Sequence, residues 1–226
     1  GFLHLPLINI WGKKFKEVLS KKFDIKLNHR TFNLVNTIDI DNAWAFKNKG
    51  VIRAGGAILK AGASAKMKEI ASRTSVLSGK SKDPYDTYDY LNQIQEEKKV
   101  KSIYFFLLGD RGTFDKNVSH SNSALIQLIN SINKDAQIGI HPSYASYLNI
   151  TQLQKEINRL NEITKVETAI SRKHFLKLSI PESYRNLEQA GIKHDYTMGY
   201  ADHYGFRASI CTPFTFFDVL QDRELE

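Results

Sequence analysis

Apolar residues at the start of the chain recur at helical spacing. Leu7, Ile10, Trp11, Phe15, Val18, Leu19 and Phe23 fall on one stripe, and Lys13, Lys14, Lys16, Lys21 and Lys22 lie mostly elsewhere. This pattern predicts an amphipathic helix packed on the body of the protein, with a membrane-surface helix as the alternative. The period then changes to two in RTFNLVNTIDID, which predicts a strand. Phe32, Leu34, Ile38 and Ile40 share one face, and Val35, Thr37, Asp39 and Asp41 share the other. A basic excursion over 42–82 follows, in which Ile52, Ala57, Ile58, Ala61, Ala65 and Ile70 form a helix stripe weakened by Gly55, Gly56 and Gly62. It reads as a covering helix or a lid. Asp83-Pro84 predicts a helix start, with Asp86 and Asp89 early and Lys98 and Lys99 late.

The second half alternates short apolar runs with amphipathic ones. VKSIYFFLL at 100–108 predicts a buried strand ending at Gly109-Asp110. Leu125, Ile126, Leu128, Ile129 and Ile132 predict a helix over 123–133, and 136–140 predicts a strand followed directly by His141. Thr151 with Gln154 reads as a capping box opening a helix striped by Leu153, Ile157, Leu160 and Ile163. Further strands are predicted at 166–171 and 192–196, and a last helix over 215–226. At 226 residues the chain suits one domain, and strands alternating with helices imply parallel βαβ units in a barrel or a doubly wound sheet.

In either architecture chemistry collects at the carboxyl ends of the strands. Asp39 and Asp41 fall at the first such end, His141 at a later one, Arg172 and His174 at the next, and Asp195 at the last. Two carboxylates on one face repel, so the pair needs a proton or a cation between its members. From that motif alone a metal or acid/base site and a solvated strand end leading into a cap are both open. The imidazoles and the arginine at successive strand ends tip the reading to a site. Carboxylate oxygen with imidazole nitrogen suits zinc or another divalent ion that activates water.

Composition narrows the partners. The formal net charge of +8 suits an anionic glycan, a nucleic acid or a lipid surface. The lysines are spread over several helices and no nucleic-acid module is legible, so no nucleic acid is expected. The lone Cys211 excludes a disulfide framework within the chain, and no Cys-x-x-Cys pair points to a thiolate zinc site. No apolar run reaches the length of a membrane span. GFLHLPLINIW has neither a basic region before it nor a cleavage site after it, so it is not read as a signal peptide. A cytoplasmic protein is expected, or one of the cell envelope if the chain is a fragment.

The runs TIDID, YFFLLGDRG, IGIHPSY, SRKHFLKL…P and DYTMGYADHYGFRAS…PF resemble, in order, the successive motifs of polysaccharide deacetylases. These are the carbohydrate esterase family 4 or NodB-homology proteins, and the resemblance is to a divergent branch that reads HPSY. It covers about residues 30 to 220. It implies an α/β fold, a distorted (β/α) barrel of about seven strands, incomplete at the C-terminal end. Residues 1–29 would be a helical extension and 30–226 the barrel. It also implies metal-dependent removal of acetyl groups from an amino-sugar polysaccharide. On this resemblance Asp39 is the base, Asp41 and His141 are metal ligands, Arg172 orients the base and Asp195 holds that arginine. Ala145 stands where the family has its second metal histidine, and His174 is taken as the substitute. No counterpart of the family's leucine-histidine motif is present. Tyr144 and Tyr147 could stack on sugar faces or pack in the core. The rival reading is an inactive deacetylase-like domain that binds a glycan or a protein.

Overall fold

The computed structural model describes residues 1–28, 30–50 and 67–225. Its centre is a curled five-stranded parallel sheet: β1 (Val35–Ile40), β2 (Lys101–Phe106), β3 (Gln137–Ile140), β4 (Ile170–Ser171) and β5 (His194–Asp195), in the order β1-β2-β3-β4-β5. The helices are α1 (Leu7–Phe23), α2 (Met67–Leu77), α3 (Tyr88–Lys98), α4 (Ser123–Ile132), α5 (Ile150–Thr164) and α6 (Glu182–Gln189). Two further strands, β6 (Phe217–Asp218) and β7 (Arg223–Glu224), pair with each other in antiparallel fashion. The seven strands of the described residues are split into five and two: the curled five-stranded sheet is consistent with the expected distorted barrel, and only five strands, rather than about seven, belong to it.

The alternation of β2 explains the layering. Tyr104 and Phe106 face the helices and join Ile140, Ile129, Leu153, Ile157 and Leu160 in the main core. Ile103 and Phe105 face the other way and pack with Ile170 and Val35. Cross-strand register carries both faces across the sheet: Asp39 aligns with Phe105 and Phe105 with Gly139, while Ile40, Phe106, Ile140, Ser171 and Asp195 form the adjacent row. Gly139 is required by this packing. A Cβ there would lie 2.6 Å from the Phe105 ring and 2.8 Å from the Ile170 carbonyl oxygen.

Several local expectations change. Asp83 does not cap a helix, and α3 begins five residues later at Tyr88. The Asp83 carboxylate is buried instead and accepts N–H bonds from Ala45, Phe46, Lys47 and Tyr85, fixing the turn after β1. Asn149, not Thr151, caps α5, accepting from the Gln152 N–H. The strands expected over 166–171 and 192–196 shrink to the two-residue β4 and β5. The last helix is replaced by the β6–β7 hairpin, because Asp218 accepts from the N–H groups of Leu220 and Gln221 while Arg185 grips both its oxygens at 2.5 and 2.9 Å. Of the excursion's stripe, Ile52, Ala57, Ile58, Ala61 and Ala65 lie outside the described residues, and Ile70 lies in α2.

α1 forms as its periodicity requires, but its apolar stripe is only partly covered. Leu7, Ile10 and Leu19 are half-buried, whereas Trp11, Phe15, Val18 and Phe23 are each more than half exposed. The helix is held through polar groups: Asn9 accepts from Cys211 N–H at 2.8 Å and donates to Thr212 Oγ1 at 3.2 Å, and Ile8 N–H donates to Ser209 O. Gly205, at φ 148°, lets the Leu3 carbonyl approach its Cα closely; a Cβ there would sit 2.4 Å from that oxygen. No helix of the described residues is long and apolar enough to cross a membrane.

Candidate metal centre

The ladder continues past the strand ends and places the site. His141 N–H donates to Phe106 O, Arg172 N–H to Ile140 O, and His174 N–H to Pro142 O. β4 itself ends at Ser171, so His174 is placed not by strand alternation but by a 3₁₀ turn over His174–Leu176. Three predicted ligands meet here. Asp41 Oδ1 lies 3.1 Å from His141 Nε2 and 3.6 Å from His174 Nε2. One ligand atom from each residue lies within 4.8 Å of the others. Both imidazoles are buried, and the Asp41 side chain is half exposed, so the cluster has two closed walls and one open side.

Hydrogen bonding fixes the ring tautomers. His141 Nδ1 lies 2.5 Å from the Arg172 carbonyl oxygen, which can only accept. His174 Nδ1 lies 3.0 Å from Asp115 Oδ1, and the Asp115 carboxylate also accepts N–H bonds from Tyr144 and Ala145. Both Nδ1 atoms therefore carry a proton, and both Nε2 lone pairs turn to the same carboxylate oxygen. Such a meeting of acceptors is stable only with a proton or a cation among them. With protons in that place, hydrogen bonds from His141 and then His174 hold the Asp41 carboxyl well below the usual carboxylate range. Burial lowers the pKa of His174, and its bonds to Asp41 and Asp115 outweigh that and raise it. The donor set of one carboxylate and two neutral imidazoles fits a divalent transition ion.

Asp39 stands beside the cluster. Its Oδ1 is 4.0 Å from His141 Nδ1 and its Oδ2 is 3.5 Å from Arg172 Nε. Arg172 Nη1 donates to Thr37 Oγ1 at 2.5 Å, so the guanidinium is anchored on β1, the strand that carries Asp39. Asp195 is not joined to it. Asp195 lies in the row of Ser171, Ile140 and Phe106, on the face opposite Asp39, and it accepts from Ser171 Oγ, Thr197 Oγ1 and Thr197 N–H. Burial pushes its carboxyl up. The contact between Asp195 and Arg172 expected from the resemblance is thus replaced by a structural bond network behind the sheet. Tyr144 and Tyr147 lie on the loop after His141, and the Lys177 ammonium sits 3.9 Å from the centre of each ring.

Two buried acids escaped the sequence reading. Asp115 sits in the loop after β2, six residues past Gly109. Its signal was its place at a strand's carboxyl end, hidden because the loop runs on before turning inward. Glu156 lies within the apolar stripe of α5, between Leu153 and Ile157, and accepts from Ser143 N–H, Ser143 Oγ and Gln152 Nε2. Burial raises its carboxyl. An acid inside a helix stripe is a legible anomaly.

No protein-family model matches the sequence, and no curated protein does. Among solved structures the chain is similar to a putative polysaccharide deacetylase from Mycobacterium smegmatis, at 15% identity and a TM-score of 0.45 over 79% of this chain. It is also similar to IcaB from Ammonifex degensii, at 13% identity and a TM-score of 0.38 over 52% of this chain. The chain spans 56% and 59% of the lengths of these two proteins. The likeness to a polysaccharide deacetylase is therefore one of low identity and partial length.

Proposed function

We propose that the chain is a polysaccharide deacetylase-like hydrolase that removes acetyl groups from an amino-sugar polysaccharide with a divalent metal ion, zinc by its donor set. One observation carries this: two buried imidazoles, each with its Nδ1 proton committed to an acceptor, aim Nε2 at one oxygen of Asp41. Asp41, His141 and His174 would hold the ion, which when bound supplies Lewis acidity to the acetyl carbonyl and to water. Asp39 is the base that takes the proton of the attacking water. Arg172, with Nε 3.5 Å from Asp39 Oδ2, pairs with that carboxylate and orients it, and Thr37 fixes Arg172 in turn. The proton that Asp39 took from water passes to the acetamide nitrogen as the C–N bond breaks, so the free amine and acetate leave.

The motif order of the sequence supplies the substrate class, and the positive net charge suits an anionic envelope glycan. The rival is an inactive binding domain, for which Ala145 speaks; the position of His174 beside Asp41 supports the catalytic reading against it. The test is metal analysis of the purified chain together with acetate release from N-acetylglucosamine oligomers. The reading expects one bound zinc, lost in Asp41→Ala and His141→Ala, and acetate release that follows the metal. Wild-type protein that takes up no metal overturns it.

A further inference from the structure

The buried pair Asp115 and His174 displays two aromatic rings. Phe114 and Phe175 are their sequence neighbours, and both are more than half exposed, at 51% and 55%. Phe175 packs on the His174 ring with centroids 4.2 Å apart, and Phe114 packs on Tyr144 at 4.3 Å. The two phenyl rings meet edge to face at 6.1 Å. Phe175 also holds a left-handed backbone, at φ 59°, and Leu176 follows at φ 49°. That region disfavours any residue with a Cβ, so the fold retains a strained, exposed phenyl ring beside the candidate metal ligands. Tyr144 and Tyr147 do not offer an equivalent surface, because the Lys177 ammonium lies over both rings. The open aromatic surface at this rim is the phenylalanine pair.

We propose that Phe114 and Phe175 form the stacking platform for a pyranose ring of the acetylated glycan, at the edge of the Asp41, His141 and His174 cluster. This rests on the deacetylase reading and transfers sugar stacking from Tyr144 and Tyr147 to these two residues. A pyranose presents an apolar C–H face that an aromatic ring covers well, and its polar rim stays free to reach the cluster. One buried hydrogen bond, 3.0 Å long between His174 and Asp115, holds the two segments that carry these rings side by side at the cluster's edge.

The test is calorimetric binding of the N-acetylglucosamine tetramer to the full chain in chelator, which separates binding from turnover. Phe114→Ala and Phe175→Ala are each expected to weaken binding about 10-fold, and Phe175→Trp to hold it within about 3-fold. Phe175→Gly suits the left-handed backbone, so it should keep the melting temperature and still lose binding. Zinc affinity should be unchanged in all four. Tetramer binding equal to wild type in Phe114→Ala and Phe175→Gly overturns the platform. Acetate release at an unchanged KM in those variants overturns the platform and leaves the deacetylase reading standing. A wild-type chain that binds zinc but neither binds the tetramer nor releases acetate overturns both.

Discussion

The rim of the sheet and the N-terminal helix invert the usual order of burial in opposite ways. At the rim His141, Asp115 and Glu156 are at most 2% exposed, although each is ionisable. On α1 Trp11 and Phe15 are 63% and 64% exposed, although both are large and apolar. The difference lies in partners. Each rim group has a named acceptor or donor within hydrogen-bond distance, which offsets the loss of water. On α1 the partnered groups are the polar ones: Asn9 bonds Cys211 and Thr212, and Lys16 donates to the Asn28 carbonyl. Periodicity tells which residues share a face. Only the partners decide which face turns inward.

The sharpest break of the rim is His141→Ala. On the proposed reading it removes a metal ligand and leaves Asp41 opposite a cavity, so zinc binding should be lost and acetate release should fall on the order of 10³-fold or more; metal analysis and an acetate assay check both. Next is the ordinary core beneath. Phe106→Ala empties a site that is 1% exposed among Ile140 and its neighbours and should cost about 3–5 kcal/mol in urea unfolding. Asp115→Asn is smaller and more telling. It keeps the shape but removes the carboxylate that orients His174 Nδ1–H, so zinc affinity should fall about 10- to 100-fold with little change in fold by circular dichroism. Equal affinity in that variant would show the rim partners to be passive.

The two regions also mark what the sequence could tell. Helix stripes and the strands that bear a full register were readable, because Leu153, Ile157 and Leu160 or Tyr104 and Phe106 act through local periodicity. Asp41, His141 and His174 were readable as strand-end residues, and the structure brings them together. Asp195 was placed with Arg172 wrongly, since the face of a residue on a two-residue strand depends on cross-strand register with Ser171 and Ile140. Asp83 looked like a cap because Asp-Pro starts helices. Its actual partners, the N–H groups of residues 45–47, lie far off in sequence and leave no local signal.

Asp83 gives the pH counterpart. Burial raises its carboxyl, and four backbone N–H bonds outweigh that and hold it below the ordinary value. A depressed folded-state pKa contributes stability that is fully present above the unfolded value of about 3.9 and is lost as pH falls through the folded value. Asp83→Asn places an amide N–H₂ against backbone donors and should cost about 1–3 kcal/mol at pH 7. The gap between wild type and variant should narrow below about pH 4 as the wild-type carboxylate takes up its proton. Urea titrations at pH 7 and pH 3 measure it, and a gap that stays constant would assign the loss to packing alone.

The smallest effect is expected on α1, where it is also the most discriminating. Trp11→Ser and Phe15→Ser replace apolar surface that water already reaches, so neither removes buried contacts of the kind that Phe106 makes. Each should shift unfolding by no more than about 0.5 kcal/mol and leave zinc affinity unchanged. Asn9→Ala, at the polar attachment, takes away one acceptor for Cys211 N–H and one donor to Thr212, and should cost about 1 kcal/mol. If polar Asn9 proves to matter more than aromatic Trp11, the helix is fastened by its hydrophilic side. The reverse order, with Trp11→Ser the costlier change, would mean that the stripe is buried in solution and that the contrast with the rim does not hold.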